Sequence, residues 1–135
     1  MSYILVGHGS YAVEIVHSCA MITGEEGMFH PVVFSDDMSA SDLMDHFTTI
    51  FSEYDVSAII VDIIGGTPCN AALMFATGHA NIEVVAGLSL PLVLPLVFGE
   101  TIEAALTAAK EGLQKVDITE EKAIMAKNEE GEEEN

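Results

Sequence analysis

Apolar residues change their spacing several times along the chain, and the changes divide it into alternating strands and helices. Tyr3 to Gly7 is an unbroken apolar run, the pattern of a strand covered on both faces. From Ser10 the spacing turns helical. Ala12, Ile15, Val16, Cys19 and Ile22 share one stripe, Glu14 and His17 lie off it, Ser10 is placed to cap the start and Gly24 the end. Pro31–Phe34 predicts a second short strand, after which Ser39 or Ser41 caps a helix carrying Leu43, Phe47, Ile50 and Phe51 on one face. Ser57–Asp62 is a third strand. Gly65-Gly66-Thr67-Pro68 then turns the chain into another helix, with Thr67 as its N-cap and Pro68 as its first helical residue. Ile82–Ala86 is a fourth strand, and Thr101–Leu113 a last amphipathic helix. Between them Gly87–Gly99 is almost wholly apolar but interrupted by Pro91 and Pro95; it is shorter than the ~20 residues a bilayer span needs and reads as buried structure.

Strands and helices alternating at this spacing predict an α/β, doubly wound fold with a mainly parallel sheet, order 2-1-3-4, and helices on both faces, because parallel strands require right-handed crossovers. Lys115–Thr119 has the apolar/polar alternation of an edge strand, so Val116–Thr119 is expected to be a C-terminal strand that two copies exchange. Residues 1–119 form one domain on this reading. Residues 120–135 form an acidic tail, solvated and partly disordered beyond about Lys127.

Charge narrows the partners. Acidic residues outnumber basic ones 22 to 4, no arginine is present, and the formal net charge is −18. Nucleic acid and anionic membrane surfaces are disfavoured, because both are held by Lys and Arg clusters. A basic protein surface would instead be steered toward this one. The two cysteines, Cys19 and Cys69, are far apart with no C-x-x-C, and no secretory leader precedes Tyr3, so a reduced, cytoplasmic protein is expected.

Two loops carry the chemistry. His8 follows the first strand and Asp62 ends the third, and the 2-1-3-4 order makes these strands neighbours, with the ligand crevice beyond their carboxyl ends. The amides of Gly65 and Gly66 and the start of the Thr67 helix face the same crevice, where unpaired N–H donors and the helix dipole favour an anion. A carboxylate on Nδ1–H would hold the imidazole tautomer and leave Nε2 as nucleophile. The other histidines, His17, His30, His46 and His79, lack zinc-ligand spacing and read as surface or structural; no metal is expected. Met38 and Met44 read as core filling that could also line a docking face, and Asn70 as a loop hydrogen-bonder.

YILVGHGSYA together with VDIIGGTPCNAA resembles the enzyme IIA component of the mannose family of the sugar phosphotransferase system, whose pattern is a strand, then x-H-G, and later D-x-x-G-G-[ST]-P-x-N-A. The likeness extends in register over roughly the first 115 residues and includes VVAGLSLPLV. It implies that His8 accepts a phosphoryl group from phospho-HPr and passes it to an enzyme IIB, that Asp62 orients His8, and that Thr67 with neighbouring groups, Gly65, Gly66, Gly9 and Ser10, holds the phosphoryl oxygens. It further implies a cytoplasmic homodimer needing neither metal nor cofactor, and touching the membrane permease only through its partners. The chain departs from the family at Ser89, where Asn is frequent, and at Pro95, which interrupts a commonly helical segment. Ending in an acidic tail, it is expected to use a separate IIB chain.

Two other readings fit parts of the sequence. Gly7, Gly9 and Ala12 match G-x-G-x-x-A of a dinucleotide clamp, although His8 would crowd such a turn. A regulatory phosphoacceptor domain would share His8 but pass nothing onward. The sugar is not legible, because specificity would lie in the membrane component.

Overall fold

The structure, a computed structural model, describes residues 1–131, with the side chains of 1–119 and 123–128 among them. Four strands, β1 (Ser2–His8), β2 (Phe29–Phe34), β3 (Val56–Val61) and β4 (Glu83–Ala86), form one sheet in the order β2-β1-β3-β4, and every pairing is parallel. The doubly wound expectation is thus borne out. Between the strands run α1 (Tyr11–Thr23), α2 (Ala40–Glu53) and α3 (Gly66–Thr77), and after them α4 (Leu90–Val97), α5 (Ile102–Glu111) and α6 (Ile118–Gly131).

Alternation along the strands sends side chains to two cores. Tyr3, Leu5, Phe29, Ala58, Ile60 and Val85 pack with residues of α1, α4 and α5. Ile4, Val6, Val32, Ile59 and Val61 pack on the opposite face with Leu43 and Phe47 of α2 and Ala71, Ala72 and Phe75 of α3. Burial on both faces explains why β1 and β3 read as continuous apolar runs. β2 is an edge strand, which is why Pro31 is tolerated opposite Leu5: its missing N–H breaks no second ladder.

One open alternative is resolved and three local expectations need correction. Ser39, rather than Ser41, caps α2, and it does so reciprocally: its hydroxyl accepts from the Asp42 amide while the Asp42 carboxylate accepts from its own N–H. Thr67 does not cap α3. Gly65 holds that position with φ 80°, α3 runs from Gly66, whose own φ is 85°, and Pro68 falls at the third position of the helix, still among the first four N–H groups a helix leaves unpaired. The apolar segment after β4 is helical through Pro95, because α4 buries Leu92, Val93 and Leu96 and that packing outweighs a missing N–H in an 8-residue helix. The predicted edge strand is also absent: Ile118 begins α6. Asp117 Oδ1 accepts the Thr119 amide at 2.9 Å at the turn into that helix, and the following Glu-Glu-Lys-Ala run has strong helix propensity. The expected tail therefore falls on α6 as far as Gly131, and residues 132–135 lie outside the described residues.

Candidate active site

β1 and β3 lie side by side in register, Val6 opposite Val61, so the residues that leave their carboxyl ends meet. His8 Nδ1 lies 2.8 Å from Asp62 Oδ2, and the His8 backbone N–H donates to the same oxygen at 3.0 Å. The other carboxylate oxygen accepts the Ile63 amide at 2.9 Å. Asp62 is thus held on three N–H groups, and its side chain is only 13% exposed against 51% for His8. Burial alone would raise the Asp62 pKa. The donors from His8 and Ile63, with the histidine's charge, outweigh it and hold the group below the usual carboxylate value. With Nδ1 committed to the carboxylate, Nε2 is the ring nitrogen left for chemistry.

The surroundings of this pair are small or aromatic. Gly7 is buried, and a Cβ there would lie 3.2 Å from both Asp62 Cβ and Tyr11 Cδ2, so only glycine lets the carboxylate close in behind His8. Its role in the Gly-His-Gly turn is therefore internal packing. Phe34, opposite His8 in the strand register, meets the imidazole edge-on at 5.6 Å. Gly66 approaches the ring from the other loop, where a Cβ would lie 3.7 Å from His8 Cε1.

The remaining expected site residues divide. Gly65 and Gly66 both have positive φ, and neither the Gly66 nor the Thr67 amide donates to the backbone of another described residue, so the start of α3 offers two unpaired donors beside the imidazole. Thr67 is half-buried in the first turn, its hydroxyl not consumed by capping. Ser10, two positions after His8, occupies the N-cap position of α1 without a side-chain cap bond and is exposed. Gly9 differs. Its amide already donates to Phe34 O at 2.7 Å, so what it supplies is the φ of 60° that turns the chain. The structure adds Phe34 and Tyr11, which sequence reasoning missed. Phe34 was detectable from strand order, being the last residue of the strand beside β1. Tyr11 sits at an ordinary first-turn helix position with nothing in the periodicity to mark it.

Elsewhere the histidines lie on the surface or in packing contacts. His30 stacks on Tyr54, His79 stacks on Phe75 and bonds its carbonyl, and His17 faces Glu14 on an exposed helix surface. Among the described residues no group of three or more His, Cys, Asp or Glu side chains could hold a metal, and no helix is long and apolar enough to cross a membrane. A cavity of about 460 Å³, lined by Gly87, Leu92 and Leu106 among others, lies between α4 and α5 and excludes His8 from its walls. The imidazole is presented on an open surface, which suits a reaction partner as large as another protein.

Residues 2–116 match the EIIA-man family, described as the phosphotransferase system fructose IIA component. The chain is 33% identical over 101 residues to the fructose-specific EIIA component of Bacillus subtilis (strain 168), covering 72% of this chain and 68% of that protein. It is likewise 33% identical over 96 residues to the sorbose-specific EIIA component of Lacticaseibacillus casei, covering 70% of each. Among solved structures, the mannose/sorbose-specific IIA subunit from Enterococcus faecalis superposes with a TM-score of 0.78 at 25% identity, over 86% of this chain and 94% of that one. A family match over most of the length, relatives of this identity and a shared fold together show that the chain belongs to the mannose-type enzyme IIA family, phosphotransferase components that carry phosphoryl groups within the sugar phosphotransferase system.

Proposed function

We propose that His8 takes a phosphoryl group from phospho-HPr at Nε2 and delivers it to an enzyme IIB that phosphorylates an incoming sugar. The observation that carries this reading is the 2.8 Å contact between Nδ1 and a largely buried Asp62, made by an imidazole that is itself half exposed. In the accepting step the Nε2 lone pair attacks phosphorus while the P–N bond to the donor's imidazole breaks, and that bond's electrons return to the donor ring. The Nδ1 proton stays in place. The ring becomes formally positive during attack, and the Asp62 carboxylate stabilises it where it stands. The unpaired amides of Gly66 and Thr67, with the hydroxyls of Thr67 and Ser10, are the groups proposed to receive the phosphoryl oxygens, whose charge the α3 N-terminus also favours. The Gly65 conformation opens that helix start. Gly9 contributes through the turn, since its amide is occupied.

A cytoplasmic location and a homodimer belong to the same proposal. Among the described residues β4 pairs only with β3, which leaves an edge open to a second copy. The test of the relay is labelling by radioactive phosphoenolpyruvate in the presence of enzyme I and HPr. The parent should acquire an acid-labile, base-stable label, and His8→Ala should acquire none. Labelling that survives the substitution would refute the assignment. Onward loss of label to a cognate IIB separates a relay from a regulatory acceptor.

A further inference from the structure

Tyr11 Oη donates to the Leu88 carbonyl at 2.7 Å, a contact spanning 77 positions in sequence. Leu88 is buried, and its N–H donates to the Val61 carbonyl at 2.9 Å; the Gly87 N–H shares that acceptor at 3.0 Å. Val61 is covalently joined to Asp62, which holds His8. Three residues after His8 the chain reaches Tyr11 again. The links therefore close a ring: His8 to Tyr11 along the chain, Tyr11 to Leu88, Leu88 to Val61, Val61 to Asp62, and Asp62 back to the imidazole. The tyrosine ring also lies against the place a Gly7 side chain would take: a Cβ there would be 3.2 Å from Tyr11 Cδ2 and 3.2 Å from Asp62 Cβ. One aromatic side chain thus bonds the turn after β4 and, together with Asp62, flanks the glycine before His8.

We propose, resting on the phosphoryl-acceptor reading of His8, that Tyr11 is a positioning residue: its hydroxyl ties the β1–α1 turn to the β4–α4 turn and so fixes His8 relative to Asp62. It does not touch the phosphoryl group. Its ring and Asp62 flank the same Gly7 position, and its hydroxyl keeps the ring from swinging outward; the residue is 42% exposed, so packing alone does not confine it. Without the bond, the turn keeps its covalent path but loses the link that closes the ring. The imidazole then samples orientations in which Nδ1 no longer faces Asp62. A mispositioned nucleophile lowers the transfer step rather than donor docking.

Tyr11→Phe tests this, since it keeps the ring against Gly7 and removes only the hydroxyl. In single-turnover transfer from phospho-HPr, the maximal rate should fall about fivefold, the scale one hydrogen bond supports, with the half-saturating donor concentration unchanged. In ¹⁵N spectra of the unphosphorylated protein, the His8 ring signals should move from one Nδ1–H tautomer toward an average of the two. A purely stabilising role would lower the melting temperature of Tyr11→Phe and leave both readouts at parental values, which would overturn the proposal; so would an unchanged ring spectrum with a slower rate. If the parent is never labelled at His8, the acceptor reading fails, and the imidazole spectra, which need no phosphoryl donor, still decide whether Tyr11 positions His8.

Discussion

Asp62 serves three N–H donors with two oxygens, and this arithmetic governs what substitution does to it. An asparagine offers one oxygen and one NH₂, so in either flip a donor faces a donor, at Ile63 or at His8. Asp62→Asn is therefore expected to slow phosphoryl acceptance by more than about tenfold, though by less than the ~10⁴ seen when an orienting acid is replaced in a serine protease, because phosphoryl transfer depends chiefly on positioning. A folded variant accepting at the parental rate would remove Asp62 from this role. Acid provides an independent check. The Asp62 pKa is lowered in the folded protein, so its contribution to stability is full above the ordinary carboxylate value of about 3.9 and is lost as pH falls through the lower, folded value. Melting temperatures measured from pH 6 downward should fall less steeply for Asp62→Asn than for the parent. At this scale His8 and Asp62 were legible because each ends an apolar run, and strand order alone makes the ends neighbours. The hydroxyl of Tyr11 was not, because its partner carbonyl is set by two turns whose approach no local pattern records.

Helix boundaries followed geometry that one-dimensional signals describe incompletely. A serine cap before this helix was readable, at Ser39 or Ser41, and the structure uses Ser39 reciprocally with Asp42. Ser39→Ala should cost about 1 kcal/mol of stability, read from a chemical denaturation midpoint, while leaving phosphoryl acceptance unchanged; a larger loss would mean that α2 anchors more than its own first turn. Thr67 was misplaced for the opposite reason. A threonine before a proline is a good cap signature, but two consecutive glycines with positive φ make the turn that leads into α3, and the cap position falls on Gly65. Spacing alone cannot report which glycine takes that conformation. At Pro95, tertiary burial overrides a residue that propensity treats as a breaker. At Ile118 a five-residue alternation was weaker than the helix-forming run behind it.

The molecule as a whole carries −18 on 135 residues, which bears on self-association. The proposed dimer brings two such charges together, and screening by salt should tighten it. Along the open edge, a cavity of about 360 Å³ is walled by Val84, Val85, Ile102 and Leu106 but also by Glu83 and Glu103, so apolar cover and like-charge repulsion meet at one place. Sedimentation at micromolar concentration should give a dimer whose dissociation constant falls as sodium chloride rises from about 50 to about 500 mM, a change in which the Debye length shortens roughly threefold. A monomer at every salt concentration would remove the dimer from the proposal. The parallel β1–β3 pairing has a consequence of a different kind, in time. His8 is made before the carboxylate that pairs with it, which arrives 54 positions later and reaches it only when β3 takes its place beside β1. At about 5–20 residues per second, the nascent chain carries a bare histidine for at least ~3–10 s. An unfinished copy therefore lacks the paired imidazole on which the proposed relay rests.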